Sequence, residues 1–117
     1  MIWVGSLFHL FPEQEQIDIA HKLTGLLSPE PGSMIIGTQG GRSDVKGPWY
    51  PTQNPKNLVF FLYTTDTWIE LWHDVFGKES VKVHARLRPQ PGGLDYWGTF
   101  PGNKDQPNMI DFAVVRL

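Results

Sequence analysis

Residues 2–8 form a short, almost unbroken apolar run, the pattern of a strand covered on both faces. Pro12 follows where a helix places its first residue, with Glu13 and Glu15 in the first turn, where carboxylates favour the positive end of the helix dipole. Ile19, Leu23, Leu26 and Leu27 recur at helical spacing, which predicts an amphipathic helix over 12–27. Ser28-Pro-Glu-Pro-Gly-Ser33 stops it. Residues 34–37 read as a second strand, apolar on both faces, followed by a Gly- and Pro-rich loop over 38–51 of the length that marks functional or mobile segments. Residues 58–63 read as a short strand or an extended segment.

Thr64-Thr-Asp-Thr67 offers caps for a second helix, on which Trp68, Leu71, Trp72, Val75 and Phe76 trace one apolar stripe. Val81, Val83, Ala85 and Leu87 alternate with Lys82, His84, Arg86 and Arg88. That is a half-exposed strand whose charged face protects a sheet edge. A second long loop covers 89–106, and 109–116 is a last strand, apolar on both faces apart from Asp111 and Arg116. The order β-α-β-loop-α-β-β predicts an α/β fold. The three strands joined through helices run parallel, and the last strand runs antiparallel to its predecessor.

Composition narrows the partners more than the fold. A chain of 117 residues, 40% apolar and 13% aromatic, suits one globular domain over 1–117. A net charge of −2 provides no basic field for nucleic acid or anionic membrane. The absence of cysteine removes disulfides, thiolate nucleophiles and cysteine-type zinc sites, and is compatible with a reducing compartment. The apolar amino-terminal run lacks a basic leader and is shorter than the roughly 20 residues of a membrane helix, so it reads as a buried strand and the chain as cytoplasmic.

In an open parallel sheet, ligands bind at the carboxyl ends of the strands. Three segments meet there: Ser6 and His9 after the first strand; Gln39, Arg42, Trp49 and Tyr50 after the second; Asp95, Tyr96, Trp97 and Phe100 after the penultimate one. An aromatic rim around a few polar groups is how pockets for small apolar molecules are built. His9, Gln39, Tyr50 and Asp95 are the groups able to polarise a carbonyl or move a proton, and Ser6, Arg42, Trp49, Tyr96, Trp97 and Phe100 would line the substrate. His9 reads equally well as a hydrogen-bonded core histidine. The loop aromatics divide evenly between lid and loop packing. His84 and His21 read as surface residues, and His73 as packing or surface. No histidine–carboxylate spacing resembles a metal site. There is no Gly-x-Ser-x-Gly elbow, and Gly40-Gly41 opens a loop rather than a helix, a poor phosphate cradle.

Three segments together, Val4-Gly-Ser-Leu-Phe-His-Leu-Phe11, Leu26-Leu-Ser-Pro-Glu-Pro-Gly-Ser33 and Met34-Ile-Ile-Gly-Thr-Gln-Gly-Gly41, resemble a known family. It is the fungal secondary-metabolite methyltransferases, class I S-adenosylmethionine (SAM) enzymes acting on polyketides and meroterpenoids. There the text reads like A-G-S-x-x-H-L-F, L-L-x-P-x-x-G-S and a strand ending G-R-Q-x-G. Gly37, Gln39 and Gly41 match, whereas Thr38 replaces the family's arginine. The resemblance runs the length of the chain but maps onto the second half of the fold, from its fourth strand onward. It implies a partial Rossmann-like methyltransferase sheet with flanking helices, and a truncation that lacks the glycine-rich loop and acidic residue that hold SAM.

The expected chain therefore keeps the substrate side and binds no cofactor, SAM entering only if a partner supplies the missing half. Its first strand, central in the full fold, would be a bare edge for a homodimer or heterodimer. The leading expectation is a biosynthetic enzyme that shapes a small apolar polyketide or terpenoid intermediate for cyclisation or isomerisation without SAM. The alternatives are the substrate-side subunit of a split methyltransferase and a non-catalytic remnant or scaffold.

Overall fold

Strand β2 (Met34–Gly41) is the spine of the sheet, because it is paired on both sides. The computed structural model of the chain describes residues 1–5, 7–49, 59–88 and 108–117. Along one side of β2 runs β1 (Ile2–Gly5), parallel, in register from Ile2↔Ile35 to Gly5↔Thr38. Along the other runs the last strand, β6 (Asn108–Arg116), antiparallel over the whole length of β2, from Met34↔Val115 to Gly41↔Asn108. The fifth strand, β5 (Val81–Arg88), pairs antiparallel with β6 at the outer edge, giving the order β1-β2-β6-β5. Strands β1, β2 and β5 thus point the same way, and the antiparallel β6 lies between β2 and β5. The chain is α/β with a mixed sheet, as its pattern predicts.

Two helices cover one face. Helix α1 is Glu13–Leu26 and α2 is Thr65–Phe76. Pro12 is the residue before α1 rather than its first helical residue, a difference of one position. The start of α2 is closed reciprocally: Thr67 N–H donates to Thr64 Oγ1 (3.2 Å) and Thr64 N–H to Thr67 Oγ1 (2.9 Å), so threonine plays both parts of a capping box. The stripe on α2 is as expected, with Trp68, Leu71 and Trp72 buried. On α1 the inward positions are Gln16 and Ala20, with Ile17, Ile19 and Leu23 half-buried; Leu26, expected inside, is 74% exposed. Gln16 is tolerated inside because its Nε2 donates to the Phe11 and Phe61 carbonyls, both at 2.9 Å, replacing its lost water.

Between the helices and the sheet sits an aromatic cluster centred on Trp68. Its ring meets Phe8 at 5.0 Å, Tyr63 at 5.2 Å, Phe112 at 5.2 Å and Trp72 at 5.7 Å, mostly edge to face. Phe8 reaches it because the chain leaves β1 early and turns into a 3-10 turn (Phe8–Leu10). The expected strand over 2–8 is therefore only four residues long. Nor is β1 covered on both faces by described residues: Trp3 is 64% exposed. Trp3 shares that outer face with the half-buried Met34, Ile36, Ala113 and Val115, positions that pairing places opposite the helices.

The expected long loop after the second strand is corrected more strongly. Residues 38–41 continue β2, because β6 offers partners as far as Asn108. Gly40 and Gly41 are strand residues and open no loop. The chain then forms a small antiparallel ribbon of β3 (Gly47–Trp49) and β4 (Phe60–Leu62), so Trp49 lies on a strand. The loop expected over 89–106 lies outside the described residues. On β5, Val81 is buried and Lys82, His84 and Arg86 are exposed, the alternation expected of a charged edge. Asp111 on β6 receives Arg88 in a two-bond fork (2.9 and 3.0 Å) and Arg86 at 3.3 Å, which holds its carboxyl below the usual range. No helix among the described residues is long and apolar enough to cross a membrane.

Two glycines separate close packing from chain entropy. A Cβ on Gly37 would collide with the Val4 carbonyl oxygen across the β1–β2 pair and lie 3.2 Å from the Phe112 ring, whereas one on Gly25, within α1, meets nothing. Gly37→Ala should destabilise the chain by about 3 kcal/mol, and Gly25→Ala should stabilise it by about 0.5 kcal/mol. Urea denaturation midpoints measure both. Equal effects would show that β1 does not press on β2 as described.

Candidate substrate site at the carboxyl end of the sheet

The geometry of the site begins with a strand that outruns its neighbour. Pairing of β1 with β2 ends at Gly5↔Thr38, yet β2 continues to Gly41. Beyond that point the side of β2 facing β1 is open at Gly40, before Tyr63 forms a parallel bridge with Gly41. The 3-10 turn fills the gap with an imidazole: Gly40 N–H donates to His9 Nδ1 at 3.1 Å. An Nδ1 that accepts a hydrogen bond carries no proton, so the neutral ring bears its proton on Nε2. His9 is 3% exposed, and burial lowers its pKa to about 4. The ring is therefore uncharged at physiological pH.

Around His9 the β3–β4 ribbon supplies an aromatic wall. The His9 ring stands edge-on to Phe60 (5.5 Å, 88°), and Phe60 stacks on Trp49 (5.8 Å, 8°). Trp49, Phe60, Leu62 and Met109 form a buried cluster of their own, apart from the main core. One residue before Gly40 lies Gln39, fully buried. Neither its Nε2 nor its Oε1 has a hydrogen-bond partner among the described residues. An amide in that position forfeits the water it would otherwise bind, a cost of about 1–3 kcal/mol.

Of the residues expected at this edge, His9 meets the end of β2 through the Gly40 amide and Trp49 joins it through Phe60. Gln39, paired with Ile110, turns its side chain to the sheet face opposite Met109 and the Trp49–Phe60 cluster. Arg42 is at the same end but is engaged within its own loop. Its Nε and Nη2 donate to Asp44 at 3.1 Å each, its Nη1 reaches the Pro48 carbonyl at 3.4 Å, and it keeps Asp44 below the usual carboxylate range after the Val45 backbone bond. Ser6, Tyr50, Asp95, Tyr96, Trp97 and Phe100 lie outside the described residues. His21 and His84 are on the surface and His73 is half-buried on α2. Phe60 and the Gly40 amide were not foreseen as site groups. The run Val59-Phe60-Phe61-Leu62 is apolar throughout, and only its register against β3 decides which ring turns towards His9.

The described residues at this end do not form a SAM cradle. Such a cradle needs backbone N–H groups at a glycine turn leading into a helix, and the candidate pair Gly40-Gly41 lies inside β2 with the Gly40 amide already given to His9. No three histidine, aspartate or glutamate side chains converge as metal ligands among the described residues.

No protein-family model matches the chain. Curated relatives do. It is 28% identical over 88 residues to the O-methyltransferase phiE of a fungal species (strain ATCC 74256), covering 75% of this chain and 28% of that protein. It is 24% identical over 102 residues to the methyltransferase ausD of Penicillium brasilianum, covering 87% of this chain and 36% of the relative. Against the O-methyltransferase atr3 of Stereocaulon alpinum it is 24% identical over 119 aligned positions, covering 100% of this chain and 32% of the relative. The chain thus spans about a third of the length of the curated relatives it matches. Over most of its length the chain is thus similar to fungal proteins named as methyltransferases.

The buried imidazole makes stability depend on pH. In the unfolded chain a histidine takes up its proton near pH 6.5, and in the fold His9 does so only near pH 4. Between those values the unfolded state binds more protons, so stability is complete above pH 6.5 and falls as the pH drops towards 4. The fall attributable to His9 should be about 3 kcal/mol. Denaturation midpoints between pH 7.5 and 4.5 measure it, and His9→Gln should flatten that part of the profile. An unchanged slope in the variant would mean that His9 is not held neutral.

Proposed function

We propose that the chain is the substrate-side portion of a SAM-dependent fungal O-methyltransferase. It holds a small apolar polyketide or terpenoid intermediate at the carboxyl end of β2, with SAM bound by residues other than those described. The observation that carries this reading is the similarity to named methyltransferases along most of the chain, supported by the unpartnered buried amide of Gln39 and the aromatic wall beside His9 at the same end of β2. Gln39 is the polar contact: its amide would donate to or accept from a substrate oxygen and so recover the hydrogen bonds it lacks. Trp49 and Phe60 supply an apolar surface. His9 acts as a positioning residue, fixing the end of β2 through Gly40.

The four-residue β1 is the sheet edge along which a partner strand would add, in a homodimer or a heterodimer, its exposed Trp3 lying beside the joint. A second reading, cyclisation or isomerisation without SAM, is favoured by one observation, the lack of a cradle at Gly40-Gly41. In that reading the pocket holds the intermediate in a reactive conformation, and Gln39 polarises a carbonyl.

Two measurements test these readings. Gln39→Leu should stabilise the unliganded chain by about 1 kcal/mol, because it removes an unsatisfied amide and preserves volume. A loss of stability instead would mean that the amide is already bonded within the protein and is not reserved for a ligand. Calorimetric titration with SAM, after the mass in solution is known, separates the two functions. The first reading expects binding only when the remainder of a methyltransferase is present, and a mass above that of one chain. Saturable binding by a monomer would overturn the assignment to the substrate side, and no binding under either condition would leave the cofactor-free reading.

A further inference from the structure

A second cavity lies away from the sheet end, between α1 and α2, with a volume of about 190 Å³. Its walls are Ile17 from α1 and Leu71 and Val75 from α2, and Tyr63 and Thr67 also line it. Three carboxylates stand around it: Glu13 on α1, and Glu70 and Asp74 on α2. Glu70 and Asp74 are four residues apart, so they share one side of the helix. Both are exposed, and neither has an ion-pair partner among the described residues. Lys46 and His21 also line the cleft.

The protein itself shows what this cavity recognises. Lys46, from the link between β2 and β3, places its ammonium 2.8 Å from Glu13 Oε2 and 5.8 Å from the centre of the Tyr63 ring. A carboxylate beside an aromatic face is the recognition pattern for an alkylammonium. The Tyr63 hydroxyl is buried, in a residue only 2% exposed, and has no hydrogen-bond partner among the described residues. Burial, reinforced by the negative charge of Glu13, keeps it protonated. Lys46 satisfies one of the three carboxylates, which leaves Glu70 and Asp74 unsatisfied beside an apolar slot.

We propose that this cleft is a binding site for a small organic ammonium ion. The charged head would sit between Glu70 and Asp74, and the apolar body would lie against Ile17, Leu71 and Val75. The volume is below the roughly 300–1,000 Å³ of drug-sized pockets, so the ligand class is a primary amine bearing one ring or a short alkyl chain. Lys46 opposes the ligand in this arrangement, because its ammonium lines the same cleft and repels the ligand's like-charged head. The site is independent of the substrate-side reading.

The probe is 2-phenylethylammonium chloride, titrated into the full chain at low ionic strength and followed by backbone amide chemical shifts. Saturable shifts should cluster on α1, α2 and residues 42–46, and the uncharged 2-phenylethanol should bind about tenfold more weakly. The double variant Glu70→Gln, Asp74→Asn should weaken the probe about fivefold, and Lys46→Met should strengthen it about threefold, because these exposed pairs contribute modestly. All of these changes are on the surface, so loss of the fold does not confuse the result. An equal response to the two probes, shifts scattered over the surface, or weaker binding by Lys46→Met would overturn the proposal.

Discussion

The pairing of β2 with β6 is the interaction on which the rest of this structure depends. It is as long as the β5–β6 ladder, and it brings the last segment of the chain between strands that are earlier in sequence. Without it, residues 38–41 would keep only the Gly40 bond to His9 and the Gly41–Tyr63 bridge, since β1 stops beside Thr38. The extension carries Gln39 and Gly40 beyond the end of β1 and aims an unmatched amide at the turn that holds His9. A site therefore arises where a long strand meets a short one. The chemistry of the exposed backbone, more than any motif, decides which side chain is drawn in.

The aromatic cluster around Trp68 fixes the same region from beneath. Phe8 and His9 are neighbours in one turn, and they look opposite ways: Phe8 packs into the rings of α2, while His9 takes the strand amide and the Phe60 edge. The hydrophobic effect anchors the first and thereby sets the position of the second. Gln16 ties the same turn to β4 through two carbonyls. Helix, turn and ribbon are thus joined at one point, and a change at any of them would be felt by the imidazole.

Local patterns were readable in the sequence wherever one face of an element meets the core. The stripe on α2, its threonine cap, the alternation of β5 and the direction of the last strand all follow from spacing and turn chemistry. What escaped reading depends on partners distant in sequence. Residues 38–41 look like loop because Thr-Gln-Gly-Gly has little strand propensity, and only a ladder supplied by 108–111 makes them a strand. Leu26 appears inward by spacing, yet the helix buries Gln16 and Ala20, a choice set by the carbonyls waiting for Gln16. At the sheet end, the placement of His9, Gln39 and Trp49 near the end of β2 was legible from the strand order. The ring of Phe60 and the amide of Gly40 were not, being products of register.

The neutral state of His9, together with the closure of Arg42 upon Asp44, leaves the described end of β2 electrically quiet. Apart from the Arg86–Arg88–Asp111 cluster on the neighbouring strands, little charge there would draw a ligand in from a distance, so encounter would rest mainly on unguided diffusion at the ordinary rate. Added salt would do little to such an encounter, since there is little charge to screen. Selection would then operate after arrival, through the fit of an apolar body to the aromatic wall and of one oxygen to one amide. On the reading proposed above, such a site would favour uncharged oily intermediates handed over at close range above charged metabolites gathered from dilute solution.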